Sequence, residues 1–469
     1  MTTHAPDRAA SLRRYVETRH IDVIPAGARH GEPWQQFFFW LGANLNIFNV
    51  VLGAIAVEIG LTFWWALIAM GAGILVGALL IALHATQGPR LGVTQTIQSR
   101  AQWGFYGAAW MFPAVWILNV GFIAALLVLQ AQAMQGAVPQ LPVPAWIVIF
   151  AVPALVIGVF GYRWIHLTMH ATAAVVGISV VVMLVQGLGY GGLPASQATW
   201  DAPHAGVFAA GVALLVIDLL SFGPFVSDYT RYMPARTSGP RLFAAIYSGN
   251  VISTFACCAL GAYLAALLPS LDPVSAVGQV CGKWALVVMA LSLLNGTAIN
   301  AYTGSFQLIS FASMWHRFRP ESAVVRVIPY AVTLAAGTVV AVLGYRNFVN
   351  NLTNFLNVLL MVFIVWSAVN LADYFAVQRG RYDVAAFFDP AGGPYGKVRW
   401  TGVIAALAGL AAEWPFISQS DYTGPLVSAL GGADISWIVG WLVAAAVYLG
   451  LERSTRRTSS LRPAAVPVP

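Results

Sequence analysis

Apolar runs long enough to cross a bilayer recur along almost the whole chain, and they constrain the fold more than any other feature. Runs such as 63–83 and 165–188 are continuous, and a membrane-spanning helix needs roughly 20 such residues. A membrane barrel would instead alternate apolar and polar residues with period two, so the runs are helices. Of 469 residues, 59% are hydrophobic and only 9% charged, against about 25% charged in soluble domains; a soluble enzyme is excluded. The chain is expected to be an all-α polytopic membrane protein.

Twelve spans follow from the runs and their breakers, at about 34–58, 62–86, 105–134, 145–161, 165–189, 206–226, 242–268, 283–313, 327–344, 349–376, 401–417 and 435–451. On that map, 22 of the 24 Lys and Arg residues fall on one side, in the two tails and the even-numbered connections, leaving Lys283 and Arg346 on the other. The positive-inside rule then puts both termini in the cytoplasm, in a multi-pass protein of the cytoplasmic (inner) membrane. The net charge of +7 is topological: the basic residues sit singly in loops, without the dense stripe that nucleic acid requires. The first thirty residues lack a short apolar stretch ending in a cleavage site, so 1–30 reads as a charged tail, not a signal peptide. The Pro- and Ala-rich end, 452–469, reads as a second, disordered tail. Cys257, Cys258 and Cys281 fit neither a disulfide framework nor a zinc site. Oligomeric state is not legible.

Charge and amides inside a bilayer are costly, so each such residue is a functional candidate. Asp218, near the middle of span 6, is the most conspicuous buried acid; it is either a coupling carboxylate or a structural acid. Ser221, Gly223 and Pro224 follow it and are able to break the helix, freeing backbone groups for ions or substrate. Span 1 carries Asn44, Asn46 and Asn49. On a continuous helix, Asn46 and Asn49 share a face with Gly42 and Gly53. Span 8 carries Asn295, Thr297, Asn300, Tyr302 and Thr303, the most polar mid-helix segment. Span 3 pairs Trp116 and Asn119 with Phe122. His166 and His170 have helical metal-pair spacing but no acidic third ligand, and Glu58 and Glu413 read as water-accessible or paired. No phosphate-binding loop and no Ser/His/Asp constellation is present, so neither an enzyme nor a bound cofactor is expected. Amides with aromatics on spans 1, 3, 6 and 8 suit a flat, neutral, hydrogen-bonding heterocycle.

The connection Gln87-Gly88-Pro89-Arg90-Leu91-Gly92-Val93, continuing through Gln98-Ser99-Arg100-Ala101-Gln102-Trp103-Gly104, resembles the loop after helix 2 of the nucleobase:cation symporter family 1. That family includes bacterial cytosine and hydantoin transporters and fungal purine-cytosine permeases. Ser227-Asp228-Tyr229-Thr230-Arg231-Tyr232, Asn300-Ala301-Tyr302 and Ala372-Asp373-Tyr374-Phe375 match further family segments in order and spacing, over about 30–450.

The resemblance implies two inverted five-helix repeats, 31–190 and 206–377, with two extra helices in 399–451. Helices 1 and 6 are interrupted, and substrate lies between helices 1, 3, 6 and 8, reached by alternating access. By position it implies substrate contacts from Asn44, Phe222 and Asn300; Ser221, from the residue reading, is a further substrate-binding candidate. In span 3 it implies either the Asn119–Phe122 pair or Trp116 as the stacking ring. Sodium-dependent members hold the ion with backbone carbonyls, here those of Trp40, Ala43 and Leu293, and with two adjacent hydroxyls. This chain has Gly296-Thr297 at that pair. A hard cation needs several oxygens, so the missing hydroxyl favours proton coupling, through Asp218, over sodium. The implied function is symport of a nucleobase, cytosine or a purine first, with an allantoin, hydantoin, uracil or vitamin substrate as the alternative. A non-transporting receptor on the same fold is the remaining reading.

Overall fold

A computed structural model describes residues 21–160, 162–316, 323–419 and 422–460. Each of the twelve expected segments is helical. By length and apolar composition, seven helices among the described residues qualify as membrane spans, and the bent pair Pro33–Asn44 and Ile47–Glu58 adds an eighth. Spans 9 and 10 run together as 327–377 in that tally, although a 3-10 turn, Tyr345–Asn347, separates their helices. Helices Val143–Phe160, Trp400–Glu413 and Ser436–Ser460 occupy spans 4, 11 and 12.

Three spans are interrupted. Span 1 bends by 60° between Asn44 and Ile47. Two of its three asparagines, Asn46 and Asn49, satisfy backbone groups that the break frees. Asn46 Oδ1 accepts the Asn49 N–H at 3.0 Å, Asn46 Nδ2 donates to the Ala43 carbonyl at 2.7 Å, and Asn49 Nδ2 donates to the Asn44 carbonyl at 2.8 Å. The break corrects the expectation of one face shared by Asn46, Asn49, Gly42 and Gly53. Gly42 abuts the Met169 backbone of span 5, and Gly53 the Cys258 backbone of span 7. Span 6 is α-helical over Ala205–Leu220 and tightens to a 3-10 turn, Gly223–Phe225, where Pro224 has no N–H to continue the ladder. Span 8 is interrupted only at Leu293, one turn residue in right-handed helical conformation between Lys283–Ser292 and Leu294–Ala312, and it continues as a single span without a sharp bend.

Glycine sets the closest helix approach. A Cβ on Gly261 of span 7 would lie 1.8 Å from the Val50 carbonyl oxygen, and one on Gly53 would lie 2.0 Å from the Cys258 carbonyl oxygen. The second half of span 1 and span 7 therefore meet backbone to backbone, as small residues permit between membrane helices.

The segment after span 2 is buried. Short helices Gln87–Leu91, Gln95–Gln98 and Arg100–Trp103 fold back into the bundle. The Gln95 N–H donates to Asp228 Oδ1 at 3.0 Å, Thr230 donates to the Ala85 carbonyl at 2.8 Å, and Ser227 donates to Gln95 Oε1. Burial pushes the Asp228 carboxyl up to about 7, against the pull of Arg231 and the Gln95 N–H. At the other flank a π-helical turn, Ala372–Val377, carries Asp373. Its carboxylate accepts from Gln102 at 2.7 Å and from Tyr382 and Tyr448 at 2.8 Å each. Arg399 donates to the Ala101 carbonyl and to Glu452 on span 12, both at 2.6 Å. The sequence segments that carry the family resemblance are thus largely a polar brace around this loop.

Candidate functional site

The three interruptions face one buried cavity. Ala43, Asn44, Asn46 and Asn49 line it from span 1, Asp218 and Phe222 from span 6, Phe122 from span 3, and Leu293, Gly296 and Asn300 from span 8. The space open to the centre of a water molecule is about 30 Å³, room for about two waters. In this conformation a heterocycle enters only if side chains move.

Asp218 is 3% exposed, and its Oδ2 is buried without a hydrogen-bond partner. It has no salt-bridge partner among the described residues. Asn49 Oδ1 is likewise buried and unpartnered. Asn300 donates through Nδ2 to the Gly296 carbonyl at 2.9 Å, one turn back. Phe222 meets Trp40 edge to face at 5.2 Å. Phe122 sits between Phe48, at 5.8 Å, and Phe355, at 5.7 Å. The wall thus offers a carboxylate, amides and two aromatic rings.

Other sequence candidates lie elsewhere. Asn119 donates to the Val115 carbonyl and accepts from Thr303, both at 2.6 Å; it ties span 3 to span 8 and does not line the cavity. Trp116 donates to Thr333 of span 9 at 3.0 Å, so of the two rings in span 3 only Phe122 reaches the cavity. Ser221 donates to the Asp218 carbonyl at 2.6 Å, within its own turn. Thr297 accepts from Gln130 at 2.8 Å and donates to the Leu293 carbonyl at 3.1 Å, away from the cavity lining. Asn44 lines the cavity, but its Nδ2 is held by Asn250 of span 7 at 2.7 Å.

The three backbone carbonyls also have donors. Trp40 O accepts from Asn44 at 3.3 Å, Ala43 O from Asn46 at 2.7 Å, and Leu293 O from the N–H and hydroxyl of Thr297. Glu58 is exposed at the end of its helix. Glu413 is buried against Gly440 of span 12, outside the cavity. The side chain of His166 lies outside the described residues, and His170 contacts the Phe38 ring. No cluster of three metal-ligating side chains occurs among the described residues.

Sequence reasoning missed several residues that complete this architecture. Gln130, Asn250 and His84 are amide or imidazole groups inside apolar runs, the same signal that singled out Asn300. His84 bonds Asn370 at 3.0 Å and Ser367 at 2.8 Å and stacks on Trp366 at 4.6 Å. Nothing in the residues Ser292-Leu293 announces the interruption in span 8.

A membrane bundle whose first and sixth helices are interrupted beside one buried cavity has the kind of discontinuous helices that transporters use to form a site. The comparisons with known proteins fix its family. A family model described as permease for cytosine/purines, uracil, thiamine, allantoin matches residues 23–440. The "Putative purine-cytosine permease YxlA" of Bacillus subtilis is 34% identical over 449 residues, covering 93% of this chain and 96% of that one. A purine-cytosine permease of Emericella nidulans is 23% identical over 486 residues, covering 96% and 91%. The chain belongs to this permease family, the nucleobase:cation symporter family 1. Mhp1, a transporter of that family solved in a closed conformation with bromovinylhydantoin bound, shares the fold with a TM-score of 0.75 at 17% identity, over 95% of each chain. A Na+-coupled sialic acid symporter shares it with a TM-score of 0.61 at 10% identity, over 92% and 91%.

Proposed function

We propose that this permease imports a nucleobase or a closely related flat heterocycle, cytosine or a purine first, by proton symport. Its two five-helix repeats, 31–190 and 206–377, rock around the cavity across a twelve-span cytoplasmic membrane bundle with both termini inside. The observation that carries the reading is the meeting of Asn300, Phe222, Phe122 and Asp218 at the helix breaks. Rings present faces for stacking and amides match a heterocycle edge by donating and accepting. Asn44 and Asn49 complete the polar wall. Asn119, Trp116 and Ser221 act behind it, as positioning residues.

Proton coupling is favoured over sodium because the cation ligands implied by the family pattern are engaged. Trp40, Ala43 and Leu293 spend carbonyl capacity on side-chain donors, and the Thr297 hydroxyl is bonded on both sides. A hard cation collects six or more oxygens. A lone membrane carboxylate facing a cavity is instead suited to pick up and release a proton. Uptake of radiolabelled cytosine, adenine, uracil, hydantoin and allantoin into proteoliposomes, under an imposed pH gradient or an imposed sodium gradient, tests both parts. Accumulation driven by sodium alone overturns the proton assignment. Binding of one of these compounds without uptake under either gradient points to the receptor reading.

Replacing Asn300 or Phe222 by alanine weakens binding of the accumulated compound by about 1 to 3 kcal/mol each, the cost of an unpaired buried polar group and of lost ring contact. Isothermal titration on the purified variants measures this, and unchanged affinity in both removes the cavity as the substrate site.

A further inference from the structure

A second and larger cavity, about 530 Å³, opens where span 2 ends, span 7 begins and span 10 ends. Its wall is chemically mixed. Leu83, Leu242, Phe243 and Phe375 supply its apolar part, and Phe375 remains 46% exposed. Arg90, Arg379 and Tyr374 line the same groove, with Arg90 Nη1 and the Tyr374 hydroxyl both near Gly380. Among the described residues no acid lines the groove, and neither arginine side chain has a hydrogen-bond or salt-bridge partner. The helix of span 7 starts here, at Gly239, adding the positive end of its dipole.

The turn that presents Arg379 is unusual. Arg379 has φ of 52°, the one non-glycine residue with positive φ among those described, and Gly380 follows at 72°. That conformation brings Cβ against the following carbonyl, and residues held in such regions cluster at ligand clamps. Gly380 lies at the rim, where an added Cβ would touch both Arg90 Nη1 and the Tyr374 hydroxyl at 3.4 Å.

We propose that this groove binds one anionic phospholipid. The phosphate sits between Arg90 and Arg379, and an acyl chain runs along Phe243, Leu242, Leu83 and Phe375. A soluble anion has no use for the apolar part. A zwitterionic lipid presents a fixed cation to a rim that holds two unpaired arginines and no acid. Basic pockets between membrane helices recognise anionic headgroups by this combination.

Native mass spectrometry of the delipidated full chain, titrated with phosphatidylglycerol or with phosphatidylcholine of the same acyl chains, tests the site. One phosphatidylglycerol per chain is expected to be retained where phosphatidylcholine is lost. Arg90→Gln with Arg379→Gln weakens retention about thirtyfold, the scale of two surface arginines facing anionic lipid. Arg379→Gln alone, in an exposed turn, weakens it about fivefold by the same measure and stands in if the double variant fails to fold. Equal retention of phosphatidylcholine, or retention unchanged in the variants, overturns the proposal. Displacement of the lipid by millimolar inorganic phosphate also overturns it, in favour of a soluble-anion site.

Discussion

Asp218→Asn abolishes uphill accumulation of substrate in proteoliposomes while binding and substrate exchange persist. The carboxylate lines the cavity and its Oδ2 has no partner, so the amide, nearly identical in shape, keeps the wall but cannot carry a proton. Coupling needs a group that changes charge between the two access states. Exchange needs only the wall. Glu413→Gln is the matched comparison: that acid is also buried, but against Gly440 on span 12 and away from the cavity, and its loss leaves accumulation in place. Uptake under a pH gradient, measured beside counterflow exchange for both variants, separates the roles. Normal accumulation by Asp218→Asn makes that residue structural.

The largest effect on stability is expected from one methyl group. Gly261→Ala places a carbon 1.8 Å from the Val50 carbonyl oxygen, a contact that no rotamer relieves because both atoms are fixed by backbone. Overpacking of a tight core costs 1 to 3 kcal/mol and more where nothing yields; here the loss is at least about 3 kcal/mol. The variant loses heat stability in detergent and shifts toward aggregate on size exclusion. Gly450→Ala, where an added Cβ meets nothing within 4 Å, leaves both readouts unchanged. An equally stable Gly261→Ala would mean that spans 1 and 7 are free to separate.

The bundle was legible because hydropathy speaks directly to the bilayer: each expected span is helical, and breaks in spans 1 and 6 lie where the asparagines and Ser221-Phe222-Gly223-Pro224 stand. The site was legible only in part. A sequence shows which amides lie inside the membrane, but not whether each is spent on protein or offered to a ligand. Asn119 is bonded to Thr303 away from the cavity, whereas Asn46 and Asn300 line the cavity while bonding backbone of their own span, although all three look alike in an apolar run. The partner of Asn119 lies a helix away, as do those of Asn44, at Asn250, and of Thr297, at Gln130, and pairing of that kind is fixed by rotation of whole helices.

The Asp373 brace has a mechanical consequence. Its carboxylate fastens span 10 to span 12 and to the segment after span 2, and Arg399 adds a second tie to Glu452. Tyr448 on span 12 and Arg399 at the start of span 11 thereby join the last two helices to this end of the bundle. In the proposed alternating access, this fastened end is expected to move least, and the bent first helix to take up most of the displacement.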